Sequence, residues 1–474
     1  MSLFYDDDKE IQIWISKKCF IFQLATSDTD EALSKALNRH LTPSLLKLSS
    51  TQENVRKKVM ELLVHINKRV KNNDNIQLPM AALLDQYQDP SVSSFVTNFT
   101  IIYIKMGFPR LPLDQKIHLI PKILLALEGK PASHQDPLLH MMLPWLEHVK
   151  APKEDPEIKA KYLKLEENPH CFKLFLEFLF DFILLPYGSH PSIKPSDPNE
   201  KIQVPPGLSE NAWKKVAGDS PMKPEDLEKI KANIMRFLGN GLIPEKNVAM
   251  HLVIGMADTR HSVSTEADSV MRRVSGGIDW EQKELVSKLY DMFLGTLMVK
   301  GKDGKYVTTS ATGVVHIRPE NKKMPSSTRL RLKLMPYLLR SKEASLSFPT
   351  NVQVVFDLLF GTGGNTNAKL KTMAVQFVHS VVENCPTSRM TSCGGVLLSA
   401  LNKLVSGGAA SKESNEDEPM SNAEKDAAAK LRASCYVAIG NQIDTIINPD
   451  LPSLASLFNK SLKLTYDLLR FSFL

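Results

Sequence analysis

Cysteine, glycine and aromatic side chains are all scarce in this sequence, and each scarcity removes a class of protein. The 474 residues hold five cysteines, Cys19, Cys171, Cys385, Cys393 and Cys435. The number is odd and no two are spaced C-x-x-C, which excludes a disulfide framework and a zinc site and points to reduced thiols. Aromatics are 7% of the chain and glycines number 22. That is too few for the many short strands and tight turns of a sandwich or barrel of this length. No uninterrupted apolar run reaches bilayer length. The most apolar stretch, Cys171 to Tyr187, carries Lys173, Glu177 and Asp181 at four-residue spacing, a charged stripe on an amphipathic helix. The N-terminus, MSLFYDDDKEIQIW, is acidic where a secretory signal would be basic. Hydrophobic residues are nevertheless 43% of the chain, enough for a large folded core.

What is present is repetition. In TPSLLKLSSTQENVRKKVMELLVHINKRV, from Thr42 to Val70, a helical period links Val55, Val59, Leu62, Leu63, Ile66 and Val70. Arg56, Lys57, Lys58, Glu61, Lys68 and Arg69 take the other face. Ser50 with Glu53 reads as a capping box that starts the helix. An earlier helix, from Asp28 to about Leu48, aligns Leu33, Ala36, Leu37, Leu41, Leu45 and Leu46 on one face, with Pro43 inside it. Prolines stand ahead of apolar pairs again at Pro79, Pro121 and Pro336, and at Pro452 ahead of Leu454. A recurring proline of this kind predicts a bend in the first helix of a helix pair. Second helices are expected to begin near Val55, Val92, Pro137, Thr259, Asn365 and Ala423. A spacing of roughly 40 residues with two helices per unit marks HEAT or armadillo arrays. The predicted fold is therefore an all-α, HEAT/armadillo-like helical-repeat solenoid, in which each pair buries its apolar face on its neighbours.

The expected organisation runs as follows: 1–23 a divergent N-terminal segment, 24–187 the first repeats, 188–207 a Pro-rich linker, and 208–299 further repeats. Then come 300–327 as a basic loop insertion, 328–405 as repeats, 406–422 as an acidic disordered insertion, and 423–474 as terminal helices. Tyr306–Val307 and Val314–Ile317 could pair within the basic loop as a short hairpin.

No group of residues reads as catalytic, cofactor-binding or metal-ligating. Gly361 to Lys369 resembles a phosphate loop only superficially: no glycine precedes Lys369, Leu370 follows it, and the preceding VQVVFDLLF reads as helix rather than strand. Asp258, His261 and Ser262 supply the residue types of a triad, but the position is that of an inter-helix turn, with Asp258 as the cap. The twelve histidines show no H-E-x-x-H. Charge is the one unusual feature. Between Lys300 and Lys342 lie eleven basic and two acidic residues, a net +9 against +7 for the whole chain. Within it Arg329, Arg331, Lys333, Lys322 and Lys323 are candidates for docking an acidic partner surface, against the plainer reading of a solvated helix face. Nearly absent aromatic interleaving argues against nucleic acid.

Several stretches resemble a known family. LTPSLLKLSSTQENVRKKVMELLVHINKRVK, IQLPMAALLDQYQDPSVSSFVTNFTIIYIKMGFPRLP, ADTRHSVSTEAD, RLRLKLMPYLLRS and NVQVVFDLLFGTGGNTNAKLKTMAVQFVH are similar to the N-terminal region of the proteasome adapter and scaffold protein family. The resemblance runs from about Leu24 to Asn448, and residues 1 to about 22 fall outside it. It implies a non-enzymatic HEAT-array scaffold that tethers the proteasome core particle to the regulatory particle. It also implies roles in proteasome assembly and protein degradation, and links to endosomal, endoplasmic-reticulum and motor proteins. The implied location is cytoplasm and nucleus, peripheral to endosomes or endoplasmic reticulum through partners. Family members are several times longer, so the chain, stopping at Leu474 in DLLRFSFL, reads as a truncated array. The solenoid alone also fits a transport receptor or a phosphatase scaffold. An enzyme built on the Gly361 loop or the Asp258 turn would be the remaining alternative.

Overall fold

The computed structural model describes residues 29–151, 162–163, 167–193, 203–296, 299–300, 305–310, 313–347, 350–360 and 367–384. The expectations for 1–23, 406–422 and 423–474, and those on Pro452, Cys19, Cys385, Cys393 and Cys435, lie outside the described residues, as does the segment 361–366. The described chain falls into two compact units: one up to Leu179 together with Arg236–Ile243, the other Phe180–Met235 together with Pro244 onward.

The first unit is built from α1 (Asp30–Leu46), α2 (Glu53–Lys71), α3 (Met80–Gln88), α4 (Ser94–Gly107), α5 (Leu113–Ala126), α6 (Ala132–Met142) and the start of α7 (Pro169–Ile183). Successive elements pack on one another: α3 lies on α4 and α5, α4 on α1 and α6. That nearest-neighbour pattern is what a stacked repeat produces. Of the periodic residues of α2, Val59, Leu62, Leu63, Ile66 and Val70 are buried as read and Val55 is only half-buried; Lys57 is exposed and pairs with Glu53 at 2.8 Å. Leu33, Ala36, Leu37, Leu41 and Leu45 of α1 are buried, but Leu46 is 46% exposed. The capping box does not form. Helix α2 begins at Glu53 behind Gln52, and the Ser50 hydroxyl instead accepts from the Gln52 N–H at 3.3 Å. The Arg56 guanidinium donates to the Ser50 and Thr51 carbonyls, at 2.6 and 3.0 Å, and so braces the turn.

Pro43, Pro121 and Pro336 lie inside helices, as the repeat pattern predicts. Pro79 differs: it is the cap residue ahead of α3, where its missing N–H costs nothing. Pro137, read as a helix start, sits inside α6, which begins at Ala132.

The second unit continues from the end of α7 through α8 (Glu210–Ala217), α9 (Pro224–Leu238), α10 (Glu245–Met256), α11 (His261–Val274) and α12 (Lys283–Leu294). After these come α13 (Thr328–Arg340), α14 (Lys342–Leu346), α15 (Thr350–Phe360) and α16 (Ala368–Asn384). Helix α10 packs on α11 and α13, α12 on α13 and α15, and α16 on α13, α14 and α15. Nine consecutive residues of α10, Val248 to Met256, are buried, so this helix is covered on all sides. Between α12 and α13 stands a small antiparallel sheet of β1 (Val299–Lys300), β2 (Tyr306–Ser310) and β3 (Gly313–His316). Its β2–β3 hairpin pairs Val307 with His316 and Thr309 with Val314, close to the pairing expected from the sequence. Among the described residues the fold is an all-α helical-repeat solenoid that carries this small three-stranded sheet.

Candidate functional site

The basic segment leads into α13 and is tied down before it arrives. The Met324 N–H donates to the Leu208 carbonyl at 2.8 Å, and the Gly207 N–H to the Met324 carbonyl at 3.0 Å. The Thr296 N–H reaches the Lys323 carbonyl at 2.9 Å, and Lys323 N–H reaches Thr296 Oγ1 at 3.1 Å. Gly295 makes this fit possible. It has φ +70°, and a Cβ there would stand 2.6–2.8 Å from Pro325 N, Lys323 O and Met324 C. Ser327 then caps α13 by accepting from the Leu330 N–H.

The five candidate residues do not share one role. Lys322, Lys323 and Lys333 have exposed side chains. The Lys323 ammonium also lies 5.7 Å from the centroid of the Phe180 ring, and its charge opposes the upward pull of burial on Asp291. Arg329 donates from Nε and NH2 to the carbonyls of Ala257 and Asp258, both at 2.8 Å, which stabilises the carbonyl end of α10. Arg331 corrects the expectation of a solvated docking residue. It is 8% exposed, 2.5 Å from Asp357 Oδ2, and 3.3 Å from the Phe293 carbonyl that it donates to, with its guanidinium over the Phe293 ring. Burial depresses the Arg331 pKa and raises that of Asp357, and their mutual attraction opposes both shifts. A cation in this setting is a core strut. Leu330 and Leu334 are buried beneath the helix, as expected.

The Asp258 turn holds a feature that the sequence did not disclose. Asp258 Oδ2 and Lys231 Nζ stand 3.0 Å apart, with the two side chains only 4% and 2% exposed. Lys231 also donates to the Leu185 carbonyl at 2.6 Å and lies over the Tyr187 ring. The Tyr187 hydroxyl and the Arg260 N–H donate to Asp258 Oδ1, at 2.9 and 2.8 Å. Burial lowers the Lys231 pKa, with Asp258 pulling the other way, while burial and Asp258 raise that of Tyr187. The cap position of α11 is Arg260, so Asp258 braces the turn before the helix rather than capping it. Ser262 donates to Glu228, and the His261 ring meets Thr265 at 3.3 Å. Asp258, His261 and Ser262 thus point into three separate sets of partners, and no triad assembles. The segment VQVVFDLLF is helical, as read, and Asn367 Oδ1 accepts from the Leu370 N–H at the start of α16.

Among the described residues no helix is long and apolar enough to cross a membrane, and no group of His, Cys, Asp and Glu could hold a metal ion.

Over 454 residues, 92% of this chain, the sequence is 43% identical to the human "Proteasome adapter and scaffold protein ECM29". It is 34% identical over 86% of the chain to the "Proteasome-associated protein ECM29 homolog" of Drosophila melanogaster, and 24% identical over 62% to the "Proteasome component ECM29" of Saccharomyces cerevisiae. The chain spans only 23%, 20% and 16% of the lengths of these relatives. Among solved structures, that of Kap121p covers 92% of this chain and 41% of that chain at 12% identity and a TM-score of 0.27, a likeness too slight to bear on fold or function. The family model described as "Proteasome component ECM29, N-terminal" matches residues 20–468, and the chain belongs to that family.

Proposed function

We propose that this chain is the N-terminal part of a proteasome-associated scaffold. It binds the proteasome and helps to tether the core particle to the regulatory particle, with a role in assembly and degradation. The observation that carries the reading is the family match over residues 20–468, with 43% identity to a relative named as a proteasome adapter and scaffold. The stacked helix pairs suit that role, since a repeat array offers extended surface without needing a catalytic pocket. The proposed location is cytoplasm and nucleus, with endosomal, endoplasmic-reticulum or motor proteins as further partners.

Of the basic candidates, Lys322, Lys323 and Lys333 are the ones whose exposed ammonium groups can meet an acidic partner. Their attraction is screened over about 8 Å at physiological salt. The test is affinity purification of the full chain, with core and regulatory subunits counted by mass spectrometry across a salt series. Co-purification of both particles is expected. Reversal of the three lysines to glutamate should weaken it and flatten its salt dependence. If neither particle is recovered with the parent chain, the scaffold reading fails for this chain. If the triple variant retains proteasomes as the parent does at every salt concentration, the basic docking reading fails and the scaffold reading stands.

A further inference from the structure

The second helices of the first two repeats expose apolar side chains that the fold does not use. On α2, Met60 is 38% and Val64 is 62% exposed; on α4, Phe95 is 55% and Ile102 is 43% exposed. These pairs are four and seven residues apart, so each lies along one helical face. Phe99 sits on the same line of α4, its ring edge-on to Phe95 at 5.2 Å between centroids.

The two helices run side by side in the same direction. Near their N-terminal ends Ser49 and Ser93 share a 2.8 Å hydrogen bond, and further along the Tyr103 hydroxyl reaches the Leu63 carbonyl at 3.5 Å. Leu63 and Tyr103 are buried where the helices face each other. Helix rotation then turns Met60 and Val64 about 60–100° to one side of that contact, and Phe95 and Ile102 about 80–100° to the opposite-handed side. For parallel neighbours those are the same outer surface. The result is two apolar ridges about one helix spacing, ~8–10 Å, apart.

The net charge beside them is positive. Helix α2 carries six basic residues and two acidic ones, Glu53 and Glu61, and each of the two is already paired, with Lys57 and Lys58 at 2.8 Å. Lys68 and Lys71, both exposed, extend the Met60–Val64 line. Helix α4 has no acidic residue. A second copy of this chain would set lysine against lysine across the ridges, which disfavours self-association.

We propose that the groove between α2 and α4 is a docking site for an amphipathic helix of a partner protein, one with an apolar stripe flanked by Asp and Glu. An added helix would seat its apolar ridge between the two exposed ridges, as helices do in groove recognition. Its carboxylates would meet the α2 lysines. This site lies on different residues from the basic candidates and does not depend on the proteasome reading.

The test uses the full chain and a fluorescent 18-residue helical peptide with leucines at i, i+3, i+4 and i+7 and glutamates on the flanks. A second peptide has lysine in place of each glutamate, and vesicles containing phosphatidylserine form a third arm. The acidic peptide should bind, the lysine peptide at least about tenfold more weakly, and the affinity should fall with salt. Val64→Asp and Ile102→Asp should each weaken binding at least about tenfold, with the thermal unfolding curve unchanged because both positions face solvent. Lys68→Glu, which reverses an exposed charge and leaves the four apolar side chains in place, should weaken it as well. The proposal is overturned by equal binding of the two peptides or by no binding of the acidic one. It is also overturned by vesicle binding that excludes the peptide, or by a dimer of the parent in sedimentation that Ile102→Asp dissolves.

Discussion

Replacing Lys231 with methionine removes one charge from a pair whose side chains are 2% and 4% exposed. Asp258 would keep the Tyr187 hydroxyl and the Arg260 N–H as donors but lose its cation, and the Leu185 carbonyl would lose its partner at 2.6 Å. Stripping one member from a buried pair costs about 3–5 kcal/mol. Asp258→Asn is the reciprocal change. It keeps an oxygen for Tyr187 and Arg260 and strands the Lys231 ammonium, which burial already disfavours in its charged form. The double variant is neutral throughout, so it should cost little more than the worse single change, leaving a coupling of about 2 kcal/mol or more. Native-state hydrogen exchange of the amides in α10 and α11, read by mass spectrometry, reports the opening of this region alone. Strictly additive single effects would refute the reasoning, because they would mean that the two groups do not act as a pair.

Three further outcomes follow from the packing. Leu63→Ala should cost about 2–5 kcal/mol and Lys57→Ala at most about 0.5 kcal/mol, since one is 1% exposed and the other is a surface pair; equal shifts in thermal unfolding would contradict the assigned faces. Gly295→Ala should destabilise the second unit by more than about 1 kcal/mol in urea unfolding, because the new Cβ meets backbone atoms and the φ is positive; a stabilising effect would overturn that account. Burial, followed by the Glu128 carboxylate beside it, pushes the Cys171 thiol up to about 12. The folded chain therefore holds this proton longer than the unfolded chain, whose thiol titrates near 8.5, so the stability that Cys171 contributes below that pH is lost as pH rises toward 12. Iodoacetamide mapping at pH 8 should leave Cys171 unlabelled until denaturant is added, and prompt labelling of the folded chain would refute this.

The parts of the fold that were legible in the sequence are those set by periodicity. The apolar stripe of α2, the prolines inside α1, α5 and α13, and the amphipathic character of α7 all follow from which residues recur at helical spacing. Errors cluster at helix ends. Ser50 and Glu53 have the right types for a capping box, yet the helix starts at Glu53 itself, because Arg56 holds the Ser50 and Thr51 carbonyls in a turn of their own. Leu46 fits the α1 period but lies in its last turn and is half exposed. Local pattern fixes the face of a helix far better than its first residue, since the first residue depends on contacts from outside the helix.

Charge was legible only as a sum. Arg329 and Arg331 sit two residues apart on α13 and look interchangeable with Lys333, but their hydrogen bonds separate them. Arg329 closes the carbonyl end of α10, Arg331 is buried against Asp357 and Phe293, and Lys333 faces solvent. Arg110 repeats the first of these roles in the other unit, where its guanidinium donates to the carbonyl of Val70 in the last turn of α2 and to those of Asn73 and Ile76 just beyond it. In both units an arginine that counts as surface charge in the sequence satisfies the carbonyls that a preceding helix leaves open. The planar, five-donor guanidinium suits that task, and a lysine ammonium does not reproduce its fork. Basic residues in a stacked helical array therefore divide between joining one repeat to the next and facing a partner. Burial and the distances to carbonyl oxygens tell the two apart, which is why the proposed docking set narrows to Lys322, Lys323 and Lys333.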